Sequence, residues 1–257
     1  MSTTTAATPS HPSMTPLRKT ALIAGVFYLM TFIFSIPVKF WLWDDAINNP
    51  GFVLGAGSDG GVLWGAIFEV ITALAGIGTA VVLYSVARRH SERAALGFVT
   101  ARVMEASVII VGVLSVLSLF TLRQDVAGAA GADSASLVTT GHALTAIHDW
   151  TFLIGPGLFP VINALCLGTV LYRSRLVPRI IPTIGLIGAP LLLASGVATL
   201  FGVFDQISAP AGLLALPVAA WEFSVGVWMT FKGFTTSDTI EDPALETVPA
   251  TFEPVAA

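Results

Sequence analysis

Hydrophobic positions along this chain fall into six long runs, with limits near 20–41, 62–86, 95–121, 143–171, 180–203 and 211–233. Crossing a ~30 Å hydrocarbon core takes about 20 helical residues, and each run is long enough. The runs are continuous rather than alternating at every second residue, so the pattern predicts helices and not a transmembrane barrel. Lipid offers no hydrogen bonds to an open backbone, which favours helices further. The expected fold is all-α: a polytopic bundle of six transmembrane helices.

Composition agrees. The chain is 54% hydrophobic and 11% charged, with a mean hydropathy of +0.83. Soluble domains carry about 25% charged residues. The single cysteine, Cys166, excludes an intrachain disulfide. Residues 1–17 are rich in Thr, Ser and Pro and too polar for a signal-peptide core, so the first run is expected to be a retained span. One transmembrane domain is expected over 18–234. The tail 235–257 mixes Asp238, Glu241, Asp242, Glu246 and Glu253 with prolines and is expected to be disordered.

Basic residues set the orientation. Arg18, Lys19, Arg88, Arg89, Arg93, Arg173, Arg175, Arg179 and Lys232 fall on one side of such a bundle, and Lys39 and Arg123 on the other. The richer side is expected to face the cytoplasm, which puts both chain ends there and the protein in the plasma membrane as a multi-pass protein. The opposite side has a turn-rich loop over 43–51 and a small, polar loop over 128–136.

Five ionisable residues interrupt the apolar runs: Glu69, Arg102, Glu105, Asp149 and Glu222. Each costs ~2.5–3.5 kcal/mol at the centre of a membrane helix, so such groups are expected to gather in the protein interior. Helical rise places them at overlapping depths. Arg102 and Glu105 are three apart and share a helix face, which predicts an ion pair. Fully ionised, the set would hold three uncompensated negative charges. Bound protons, a bound cation or water must then relieve them. Glu69, Thr72, Ala73, Gly76 and Ala80 form one stripe, and Ala106 and Gly112 continue the Arg102 face; both read as packing seams. Phe68-Glu69, Asp149-Trp150 and Trp221-Glu222 repeat an acid beside an aromatic in three spans.

Metal chemistry has a weaker signal. His142 and Asp149 are seven apart and share a face, while His148 is expected to point elsewhere. His148, Asp149 and Glu69 are candidate metal ligands, but no HExxH spacing supports them. Pro156 and Pro160 interrupt the fourth run, predicting either a proline kink, the favoured reading, or a broken helix lining a path. There is no phosphate loop, dinucleotide fingerprint, GxSxG or CxxC, so no cofactor is implied and no nucleic-acid partner is expected. The arginines of 171–179 and 88–93 read as topology anchors that meet lipid headgroups.

The opening Arg18-Lys19-Thr20-Ala21-Leu22-Ile23-Ala24-Gly25, the turn from Leu171 to Arg179, Gly185-Leu186-Ile187-Gly188, and the ending Glu222, Gly226, Trp228, Lys232-Gly233-Phe234 resemble one bacterial membrane family, domain of unknown function 4386. The resemblance covers 18–234 and implies a multi-span helical membrane protein. It carries no activity, cofactor or catalytic residue with it.

Three functions remain open from the sequence. The first is a transporter-like or membrane-sensing protein in which Glu69, Asp149 and Glu222 bind a proton or cation, with Arg102 as counter-ion to Glu105. The second is an intramembrane metal-dependent hydrolase. The third is a structural or accessory membrane protein. Catalytic residues are unknown, so enzyme status stays open. Membrane lipids are the expected partners. Six spans is small for a transporter acting alone, which leaves a homo-oligomer open.

Overall fold

A computed structural model describes residues 14–126 and 133–235. The tails expected at 1–17 and 235–257, and the middle of the 128–136 loop, lie mostly outside the described residues. Seven α-helices follow in order: α1 Pro16–Pro37, α2 Asp44–Asn48, α3 Asp59–Ala87, α4 Glu92–Val126, α5 Ser134–Ser174, α6 Ile180–Leu200 and α7 Ala209–Phe231. A π-helical turn, Val38–Leu42, extends α1, and a 3-10 turn, Phe52–Leu54, follows α2. The six long helices are each long and apolar enough to cross a membrane.

Helix ends follow local chemistry. Thr15 caps α1 by accepting a hydrogen bond from the Arg18 N–H at 3.3 Å, with Pro16 in the first turn. Asp133 accepts from the Ala135 N–H to start α5, and Ser208 from the Ala211 N–H to start α7. Arg175 closes α5 in the left-handed region, at φ 57°.

The helices outrun the apolar runs that predicted them. α5 starts at Ser134, well before residue 143, because Ser, Thr and Gly continue the helix beyond the apolar stretch. The 43–51 loop, expected to be turn-rich, contains α2. The broken-helix alternative for the fourth span does not hold, since α5 runs on through Pro156 and Pro160.

The six long helices pack as a closed ring, each on its sequence neighbours, with α7 returning to α1. Both described chain ends therefore lie at one end of the bundle. There the Arg18 guanidinium donates to the carbonyls of Met229 at 3.1 Å and Thr230 at 2.7 Å. Small residues permit the closest approaches: a Cβ on Gly25 would lie 2.7 Å from the Gly226 carbonyl oxygen, and one on Gly185 would strike the Trp221 ring. One apolar core, around Tyr28, Phe98, Leu167 and Trp221, fills this half of the bundle. A second, around Trp43, Phe52, Val113 and Leu119, fills the other half. Between them the ring encloses a cavity.

Candidate functional site

The cavity has a volume of about 760 Å³. Its walls come from α1, α3, α4, α5 and α7 and from the connection before α7. Most of the lining is apolar, with Phe32, Ile36, Phe40, Ile109 and Phe152 prominent. Into this surface project Lys39, Glu69, Arg102, Glu105 and Glu222.

Arg102 organises one side. It is 3% exposed, and an isolated charge so buried would be very costly. Its Nη1 meets Glu105 Oε2 at 3.1 Å, across one turn of α4. Its Nη2 meets Glu222 Oε1 on α7 at 2.5 Å. Asn163 of α5 donates a further hydrogen bond to Glu105 Oε2, at 2.8 Å. The guanidinium lies 5.1 Å from the Tyr28 ring and 5.8 Å from the Phe98 ring, whose π-faces favour a cation. Helices α1, α4 and α7 thus meet on one arginine, and α5 joins them through Glu105. Two carboxylates share one cation, and the group keeps a formal charge of −1.

Glu69 and Lys39 form the other side. Arg102–Glu105, Arg102–Glu222 and Arg123–Asp59 are the ion pairs among the described residues, and neither Glu69 nor Lys39 belongs to one. Lys39 stands in the π-helical turn, which carries one more residue per turn than an α-helix and so rotates the side chains that follow. Its ammonium rests on the Phe152 ring at 3.9 Å. The Thr72 hydroxyl, one turn below Glu69, is 7% exposed, lines the cavity and has no hydrogen-bond partner.

The structure corrects three sequence expectations. Asp149 does not line the cavity: it is exposed, though near enough to act on the Lys39 ammonium, and the buried neighbour is His148, at 5%. α5 is rotated so that His148 packs edge-on against Trp43, with ring centroids 5.2 Å apart. The acid-beside-aromatic regularity therefore does not place three equivalent acids. Likewise, the His148, Asp149 and Glu69 metal set is not assembled; among the described residues no three His, Cys, Asp or Glu side chains gather as metal ligands. His148 and Glu69 do share the lining of a small side void of about 20 Å³, while His142 is exposed beside the α2 segment. Finally, the α3 stripe is only partly a seam. Ala80 is packed in the core, but Thr72, Ala73 and Gly76 line the cavity, and a Cβ on Gly76 would meet nothing within 4 Å. The α4 stripe is a seam at Gly112, where a Cβ would press on Thr151 of α5, while Ala106 lines the cavity.

Lys39, Tyr28 and Asn163 are not among the site residues expected from the sequence, and Thr72 is expected there only as part of a packing stripe. Lys39 has a signal, because it falls inside the first apolar run, but at the edge of that run it reads as a basic residue of the far side. The others are residues that membrane helices use freely, and nothing local marks them.

No curated protein and no solved structure matches the chain. The family model for the domain of unknown function DUF4386 matches residues 23–233, and the chain belongs to that family.

Proposed function

We propose that this member of the family is a transporter-like or membrane-sensing protein of the plasma membrane whose ligand site is the central cavity, with Glu69 as the carboxylate that takes up a proton or a cationic group. The Lys and Arg bias toward the end that holds both chain termini supports a cytoplasmic location for them.

One observation carries this reading: Glu69 faces a large, mainly apolar cavity without an ion-pair partner. Its two companion acids differ. Glu105 and Glu222 are both held by Arg102, so their charges are already used in joining α4 to α7. An unpartnered carboxylate at membrane depth is a functional group by default, because a neutral side chain would serve packing at lower cost.

The test is pH-difference infrared spectroscopy on reconstituted protein. A carbonyl-stretch band of a protonated carboxyl group should titrate in the wild type, vanish in Glu69→Gln, and persist in Glu222→Gln and Asp149→Asn. A titrating band that survives in folded Glu69→Gln would remove Glu69 from the role.

A further inference from the structure

We propose that the cavity receives the headgroup of a membrane phospholipid, entering sideways between α1 and α7, and that the preferred head carries a phosphate and a primary ammonium. The inference rests on the reading of Glu69 as the cation-accepting group.

The way in follows from how α1 and α7 diverge. Near the chain ends they are sealed: Gly25 leaves no room beside Thr230 and Gly226, and Phe32 meets Phe223 edge-on at 5.6 Å. Beyond Phe32 the seal ends. The cavity wall there consists of Ile36 of α1 and Phe40 of the π-helical turn on one side, and Gln206, Ile207, Ser208 and Gly212 on the other. Phe40 is 61% exposed and Ile207 64%, so the same residues line the cavity and face the bundle exterior. A Cβ on Gly212 would meet nothing within 4 Å. The opening is flanked mainly by apolar side chains, with Gln206 and Ser208 beside Ile207, at the periphery of a membrane bundle, where acyl chains are the surrounding medium.

The headgroup follows from what waits inside. Lys39 and Glu69 face one low-dielectric space without pairing to each other. A simple cation drawn to Glu69 meets the Lys39 charge, and a simple anion drawn to Lys39 meets Glu69. A zwitterion satisfies both and adds no net charge. Its phosphate suits Lys39, whose ammonium lies on the Phe152 ring and, although Asp149 and Glu69 act on it, is ion-paired with neither. A primary ammonium suits Glu69 together with the Thr72 hydroxyl, which is more than nine-tenths buried and has no partner. A quaternary ammonium has no N–H to donate to either.

Binding of phosphatidylethanolamine, phosphatidylcholine and phosphatidylglycerol, matched in acyl chains, to the full-length detergent-purified protein by native mass spectrometry tests this. Phosphatidylethanolamine should bind on the order of tenfold more tightly than the other two, the worth of a charge-assisted hydrogen bond. Glu69→Gln should erase the preference over phosphatidylcholine. Lys39→Met should weaken both zwitterionic lipids alike, and Gly76→Leu should exclude all three by filling the cavity. Circular dichroism and thermal unfolding confirm that each variant folds. Any other order of lipids, or an unchanged preference in folded Glu69→Gln, overturns the inference. So does equal competition by soluble phosphoethanolamine, which would make a free solute the ligand. If the Glu69 infrared band titrates but no lipid is preferred, only the lipid inference fails; if the band does not titrate, the functional reading fails too.

Discussion

Arg102 and Glu222 are 120 positions apart in the chain, and their side chains meet at 2.5 Å inside the bundle. Because Arg102 also holds Glu105, and Glu105 accepts from Asn163, the contact ties α4, α5 and α7 together around one guanidinium. Arg102→Met should therefore destabilise by about 3–5 kcal/mol, since it leaves two carboxylates buried beside a neutral side chain. Adding Glu105→Gln and Glu222→Gln to that variant should recover most of the loss. Thermal unfolding in detergent compares the three proteins. No recovery in the triple variant would mean that packing around the Arg102 stem, rather than charge balance, sets the stability.

Gly25 and Gly76 should respond to alanine in opposite directions. At Gly25 the new methyl would fall 2.5 Å from the Thr230 nitrogen and 2.7 Å from the Gly226 oxygen, both backbone atoms, so α1 must move off α7. The cost should be on the order of 1–3 kcal/mol. At Gly76 the methyl would enter open cavity space. Gly76→Ala should be neutral or stabilising by about 0.4–1 kcal/mol through the unfolded chain. Equal loss in both variants would argue that the cavity wall at Gly76 closes in the working protein.

The bundle was legible because lipid imposes its own length rule. Six apolar runs could only be six spanning helices, and α1 and α3 through α7 each overlap one of the runs. The Arg102–Glu105 pair was legible because spacing within one helix is fixed by its pitch. What escaped depends on how helices are rotated against one another. Asp149 and His148 are adjacent, so a rotation of about 100° decides which one faces inward. The deciding partner, Trp43, lies in a segment that apolar periodicity does not describe. Lys39 escaped because it stands at the edge of the first apolar run, where a basic residue reads as an orientation signal, while the π-helical turn carries it into the cavity wall. The Glu222 contact needs the ring to be closed, which no local pattern encodes.

Replacing His148 by phenylalanine should stabilise the protein. The imidazole is buried and packs as an aromatic, edge-on to Trp43 and roughly parallel to Phe152 at 6.3 Å. Its ring nitrogens make no hydrogen bond of ordinary geometry, with the Gly112 backbone as a near neighbour. Phenylalanine keeps the ring contacts and removes the two desolvated polar atoms, for a gain of roughly 1–3 kcal/mol. Unfolding in detergent reads the change directly. A loss instead would show that solvent in the adjoining void of about 20 Å³, which Glu69 also lines, serves the imidazole.

Arg123 should govern the order of one loop rather than the stability of the bundle. Its Nη1 donates to the carbonyls of Phe52, at 2.9 Å, and Ala56. Its Nη2 donates to Gly57 at 3.0 Å and Gly55 at 3.3 Å, and its Nε pairs with Asp59 at 2.8 Å. Every donor of the fork is thus spent on the segment between α2 and the first turn of α3. Gly55 and Gly57 both have positive φ, at 108° and 82°, so the segment has little regular structure of its own to fall back on. Arg123→Gln leaves these carbonyls to water, which is available at a loop, so the global loss should stay near 1 kcal/mol. Amide hydrogen exchange across residues 52–58 should rise by about tenfold while α4 and α5 keep their protection. Lysine at this position retains the charge without the planar fork and should restore only part of the protection. Exchange that rises equally in α4 would mean that the loop and the bundle open as one unit.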